Sequence, residues 1–99
     1  MPNRGSTKFS LLVDLAKRVP ILRIAEQSLA KIKRVGRCHV AICPFHEDHT
    51  PSLTFYEDTN SFYCFGCAKG GDVIRFVEML HHCGFKDAIA RLTGHSYGA

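Results

Sequence analysis

The sequence predicts a small α+β domain: a small antiparallel sheet of short strands flanked by short helices. Three observations support this. Apolar residues recur with a helical period near both ends, the middle alternates every second residue between polar turns, and two short cysteine-bearing knuckles bracket a pair of strands. At 99 residues the chain holds one domain, residues 1–99, with 1–8 and 95–99 expected as loose tails. A chain this short buries a modest share of its surface, so a metal staple would supply cohesion that the core lacks.

After "MPNRGST", the set Phe9, Leu12, Val13 and Ala16 falls at i, i+3, i+4 and i+7, and with Ser10 as a cap predicts a helix to about Arg18. Pro20 restarts the chain, and "PILRIAEQ" keeps Ile21, Ile24 and Ala25 on one side of a second helix ending near Gln27. The period then changes. Leu29, Lys31 and Lys33 alternate with Ala30, Ile32 and Arg34, and a turn at Val35-Gly36 leads into "RCHVAI", giving a hairpin. "SLTFYE" and "NSFYCF" read as two more strands around Asp58-Thr59-Asn60, with Phe45, Phe55 and Phe62 as core. Gly70-Gly71 is expected to stop the sheet. Asp72 then caps a helix through Val73, Phe76, Val77 and Leu80 that Gly84 ends, and Phe85, Ala88, Ile89 and Leu92 mark a last helix before Gly94.

The chain has no apolar run of membrane-spanning length and no signal-type block, which predicts a cytoplasmic protein with no membrane partner. Five cysteines, an odd count, fit poorly with a paired disulfide framework and favour reduced thiols. The net charge of +4 is unevenly spread: residues 1–37 hold nine Lys or Arg against Asp14 and Glu26, whereas residues 38–99 hold four against seven acids. Such asymmetry suits a polyanionic partner, although a charge run is also what a solvated face looks like.

Cys43 and His46 are separated by two residues, as are Cys64 and Cys67, with seventeen residues between the pairs. Two intervening residues let both side chains of a knuckle point at one ion, and a strand-turn-strand returns the second knuckle beside the first. Three thiolates and an imidazole suit one zinc ion in a filled, structural tetrahedron. Three other readings remain: cysteines simply packed in the core, a "CFGC" redox pair, and iron in place of zinc. The redox pair would need a helix starting at its first cysteine, whereas Gly70-Gly71 puts the helix later. Cys38, His39, Cys83, His81, His82 and His95 read as packing or surface residues, His49 is the one credible alternative ligand, and Glu47 and Asp48 could orient His46 from outside the metal shell.

Lys31, Lys33, Arg34 and Arg37 cluster around the first hairpin, where phosphates or plain water would suit them. Combined with sheet-borne rings such as Tyr56, Tyr63 or Phe65 they would form the charge-and-stacking surface that single strands use, and Lys69 after the second knuckle could add a contact.

The string "CPFHEDHTPSL", "FYCFGCAKGGDVIRFVEML" and "GFKDAIARL", from about Pro20 to Leu92, resembles the N-terminal zinc-ribbon domain of bacterial and phage-type DNA primases. The resemblance implies zinc held by Cys43, His46, Cys64 and Cys67, a sheet facing single-stranded DNA template, and a role in choosing where an RNA primer starts. It matches the basic family positions at Lys33, Arg34 and Arg37. It also implies a primosome setting, with the primase catalytic region and replicative helicase as further partners. His49 stands where the family often has Lys, Leu53 where it has Phe, and His39 where it has an aromatic, and each departure would retune template contact. The acidic metal-binding cluster of a primase polymerase region is absent from these residues, so the expectation is a non-catalytic template-binding module. The alternative is a ribbon that docks a helicase or polymerase and touches DNA little.

Overall fold

The structure is a computed structural model that describes residues 4–29, 31–45 and 51–94. His46, Glu47, Asp48 and His49, and the expected tail from His95, lie outside the described residues. Helix α1 runs over Arg4–Arg18 and α2 over Ile21–Ser28. The first begins inside the segment expected to be a loose tail, so Ser10 is a mid-helix residue and not a cap. Lys17 and Arg18 occupy its last turn, where their charge complements the helix dipole. Pro20, at φ −62° and ψ 124°, precedes α2 as its N-cap, and Leu29 closes that helix by donating its backbone N–H to Ala25 O at 2.7 Å. Leu29 therefore belongs to a helix end and not to the alternating strand expected to include it.

Five strands follow: β1 Ile32–Val35, β2 Cys38–Ala41, β3 Leu53–Tyr56, β4 Ser61–Cys64 and β5 Lys69–Asp72. They pair antiparallel in sequence order. The fifth strand corrects the expectation that Gly70-Gly71 ends the sheet. A Cβ on Gly70 would lie 2.6 Å from Phe62 O and 2.8 Å from Tyr63 Cδ1, so glycine is what lets this strand close against β4 with the Tyr63 ring beside it.

Register sorts the side chains, because directly paired residues share a face. One face carries Ile32, Ala41, Leu53, Cys64 and Lys69 in one row and Arg34, His39, Phe55, Phe62 and Gly71 in the next. Leu53, Phe55, Phe62 and Cys64 are buried there. Helix α3, Val73–His81, lays Phe76 onto this face, its ring 5.4 Å from Phe55 and 5.3 Å from Phe62 in edge-on packing, with Phe45 at 5.9 Å. Such edge-to-face pairs add to the burial of the rings themselves. Asp72 caps α3 as expected, accepting from Arg75 N at 3.0 Å. The helix ends two residues before the expected Gly84, at His82 in the left-handed region (φ 53°), and α4, Phe85–Thr93, ends at Gly94 with φ 78°.

Asn60, in the β3–β4 turn at φ 52°, ties the helices to the sheet. Its Nδ2 donates to Lys17 O at 2.9 Å and Val19 O at 2.8 Å, and its Oδ1 accepts from Ile21 N at 2.7 Å. One side chain thus satisfies a carbonyl in the last turn of α1, another just beyond it, and an orphan amide at the start of α2.

Candidate metal centre and open sheet face

The Sγ atoms of Cys43, Cys64 and Cys67 all lie within 4.8 Å of one another, and Cys43 and Cys67 are 3.6 Å apart. A tetrahedral ion with metal–sulfur bonds of about 2.3 Å places its sulfurs about 3.8 Å apart, so the cluster has the right size. Its polarity also fits. Phe45 N–H points at Cys43 Sγ and Cys67 N–H at Cys64 Sγ, each at 3.4 Å, and Ser52 Oγ lies 3.5 Å from Cys64 Sγ. Backbone amides aimed at sulfur favour the thiolate that a metal requires.

The local chain explains this convergence. Cys64 ends β4, the following turn returns Ala68 N–H to Cys64 O at 2.8 Å, and Cys67 comes back over Cys64. Cys43 arrives two residues beyond β2, whose Ala41 stands beside Leu53, itself paired with Cys64. Without a metal, burial pushes the Cys43 thiol up from 9.0 to about 12, assisted by its neighbours Cys64 and Cys67. Burial also raises Cys67, which Lys69 partly counteracts. Cys43 and Cys67 thus hold their protons until a divalent cation replaces them. Cys38 and Cys83 stand apart from the cluster, and Cys83 Sγ faces Val77 O at 3.9 Å.

The second face of the sheet is open. Lys33, Val40, Thr54, Tyr63 and Gly70 form one row across it, and Val35, Cys38, Tyr56, Ser61 and Asp72 form another. Three strand spacings put Lys33 and Tyr63 about 14 Å apart. Beyond Tyr63, Phe65 N donates to Ser52 O, continuing the β3–β4 ladder by one step, and Phe65 is 66% exposed with its ring edge-on to Tyr63 at 4.9 Å. Ile42 and Val35 are exposed as well.

Lys31, Lys33 and Arg37 are exposed, Lys33 on the open face and Lys31 two residues before it. Arg34 is not on that face: it pairs with His39 on the core side, and its Nε donates to Gly36 O at 3.2 Å. Lys69 likewise stands on the Cys64 side of the edge strand. The common edge expected for Lys31, Lys33, Arg34 and Arg37 therefore splits between two faces. His39 packs beside Phe55, its Nδ1 3.9 Å from Glu57 Oε1, so this departure from the resemblance bears on the core and not on the open face. Phe65 and Ile42 thus join Tyr63 on this face, and Gly70, expected to end the sheet, lies within its edge strand. The alternation starting at Lys33 was the signal for the first two, once register was known.

The family model described as CHC2 zinc finger, the zinc ribbon of DnaG, matches residues 7–97. The chain belongs to this family. It is 34% identical over 83 residues to the DNA primase of Staphylococcus aureus (strain COL), and equally to that of Staphylococcus epidermidis (strain ATCC 12228 / FDA PCI 1200). The match covers 84% of this chain and 14% of each relative, so the chain spans about a seventh of the length of these curated primases. The crystal structure of the Aquifex aeolicus primase (zinc binding and RNA polymerase domains) superposes with a TM-score of 0.74 at 31% identity, covering 86% of this chain and 22% of that one. The ion of this DnaG-type domain is zinc, and Cys43, Cys64 and Cys67 are the thiols able to hold it.

Proposed function

We propose that this zinc-ribbon domain binds single-stranded DNA template on its open sheet face as the non-catalytic template-binding module of a DNA primase or related replication protein. The observation that carries the reading is the composition of that face. Exposed Val35, Ile42, Tyr63 and Phe65 make an apolar, partly aromatic surface beside Lys31, Lys33 and Arg37, whereas helices cover the opposite face. An apolar, partly aromatic surface beside cations is what unstacked bases and a phosphate chain recognise. Lys33 and Arg37 would meet phosphates, and Tyr63 with Phe65 would stack bases.

Zinc, with His46 as its fourth ligand, would supply no chemistry beyond cohesion. It would fix the β4–β5 turn and so the ring of Phe65, between two ligands. The rest of the proposal follows from family membership: one domain over residues 1–99, a cytoplasmic replication setting, the primase catalytic region and replicative helicase as further partners, and no primer synthesis by these residues alone.

Fluorescence anisotropy of a labelled single strand across a salt series tests the reading. The zinc-loaded protein should bind, more weakly as salt rises. Lys33→Ala with Arg37→Ala should flatten the salt slope by about 1 to 2. Tyr63→Ala should cost about 1 to 3 kcal/mol with the slope unchanged. A folded, zinc-loaded protein that ignores single strands at low salt would sink the reading. It would leave the protein-docking alternative, which exposed Leu11, Leu15 and Phe85 favour.

A further inference from the structure

Lys69, like Arg34, is a basic residue that the open face leaves unused. It lines a cavity of about 420 Å³ on the other side of the sheet edge, together with Pro44, Phe45, Met79, Leu80 and His82. Three elements meet there: the first metal knuckle, the start of β5 and the end of α3. The walls are apolar and soft. Phe45 is held by its contacts with Phe62 and Phe76, and Met79 and Leu80 are partly buried against the core. The mouth carries two nitrogen-bearing side chains, Lys69 and His82, both exposed. The backbone N–H groups of His82 and Cys83 both donate to Glu78 O, which satisfies one of the last α3 carbonyls beside this mouth.

We infer that this cavity is a nucleoside-phosphate site, with the base against Phe45, Met79 and Leu80 and the phosphate at Lys69 and His82. The inference rests on the reading of the domain as a nucleic-acid module but concerns a separate surface. The volume lies within the range of about 300 to 1,000 Å³ usual for small-ligand sites, which combine apolar walls with a few polar groups. An aromatic and a thioether against a flat base, with a cation at the phosphate, is a sequence-independent way to hold a nucleotide. The ligand could be a free mononucleotide or the 5′-phosphorylated end of a strand, since both present the same group.

The test is calorimetric titration of the zinc-loaded protein with AMP, ATP, adenosine and inorganic triphosphate. In parallel, anisotropy compares an oligonucleotide with and without a 5′-phosphate. The variants are Lys69→Ala and Met79→Trp; the second fills the cavity while leaving Lys69 and the thiols in place, and zinc content is measured for both. The expected result is saturable binding of AMP or ATP, or a 5′-phosphate that tightens strand binding at least fivefold. Adenosine and triphosphate alone should bind at least tenfold more weakly than ATP, and both variants should lose the effect tenfold with zinc retained. Binding of the unphosphorylated strand by Met79→Trp should stay within twofold of wild type. A response to free nucleotide alone identifies the mononucleotide as the ligand, and one to the phosphorylated strand alone identifies a strand end. No saturable response to either, or one that both variants retain, overturns the inference even where unphosphorylated strands bind normally. Loss of that ordinary strand binding in the wild-type protein overturns instead the proposal for the open face.

Discussion

Replacing Asn60 by alanine removes three hydrogen bonds at once and places a residue that resists positive φ at 52°. Each bond contributes about 1 kcal/mol net, because water competes for the same groups in the unfolded chain. The left-handed backbone costs alanine about 1 kcal/mol more than it costs asparagine. The sum is about 4 kcal/mol, reduced to about 3 where water reaches the half-exposed Lys17 and Val19 carbonyls. For a domain of this size that lowers the melting temperature by roughly 15 °C. Thermal and urea unfolding of the zinc-loaded protein would measure it. Two further variants separate the causes: Asn60→Gly relieves the backbone and should recover about 1 kcal/mol, whereas Asn60→Asp keeps the acceptor for Ile21 N but loses both donors. A loss below about 1 kcal/mol for Asn60→Ala, or equal losses for alanine and glycine, would refute the reasoning.

Other perturbations have equally definite outcomes. Phe76→Ala, which empties the centre of the cluster formed by Phe45, Phe55 and Phe62, should cost about 3 to 5 kcal/mol in urea unfolding. Gly70→Ala should push the Tyr63 ring off β5, changing the aromatic NMR shifts of Tyr63 and Phe65 and weakening strand binding together. Chelation of zinc should unfold the β3–β5 region, seen as lost amide protection at Tyr63 and Gly71. The raised Cys43 thiol gives zinc uptake a pH dependence: each ion displaces up to three thiol protons, so apparent affinity and zinc-linked stability fall as pH falls. In the metal-free protein the sign reverses, because a thiol raised from 9.0 to about 12 favours the fold below pH 9 and that contribution fades as pH climbs toward 12. Competition titrations at several pH values, and metal-free melts above pH 8, check both directions.

Much of this was legible in the residues because it is written locally. The two-residue spacing within each knuckle needs only a tight turn to bring two ligands together, and the Asp72 cap needs only the three residues after it. What escaped was set at a distance. The fifth strand hides behind Gly70-Gly71, a pair that reads as a sheet terminator until the Tyr63 ring beside it comes into view. Arg34 and Lys69 looked like neighbours of Lys33 in composition, yet a single step of register sends a side chain to the other face. Helix α1 extends back to Arg4, through a segment whose composition reads as a tail.

The most direct test of the open face is a heteronuclear NMR titration of the zinc-loaded protein with a short single-stranded DNA. The amides of Lys33, Val40, Thr54, Tyr63 and Phe65 should shift together and saturably, while those of α3 and α4 stay in place. Shifts confined to the helical side, with the sheet residues unmoved, would contradict a template-binding role for this face.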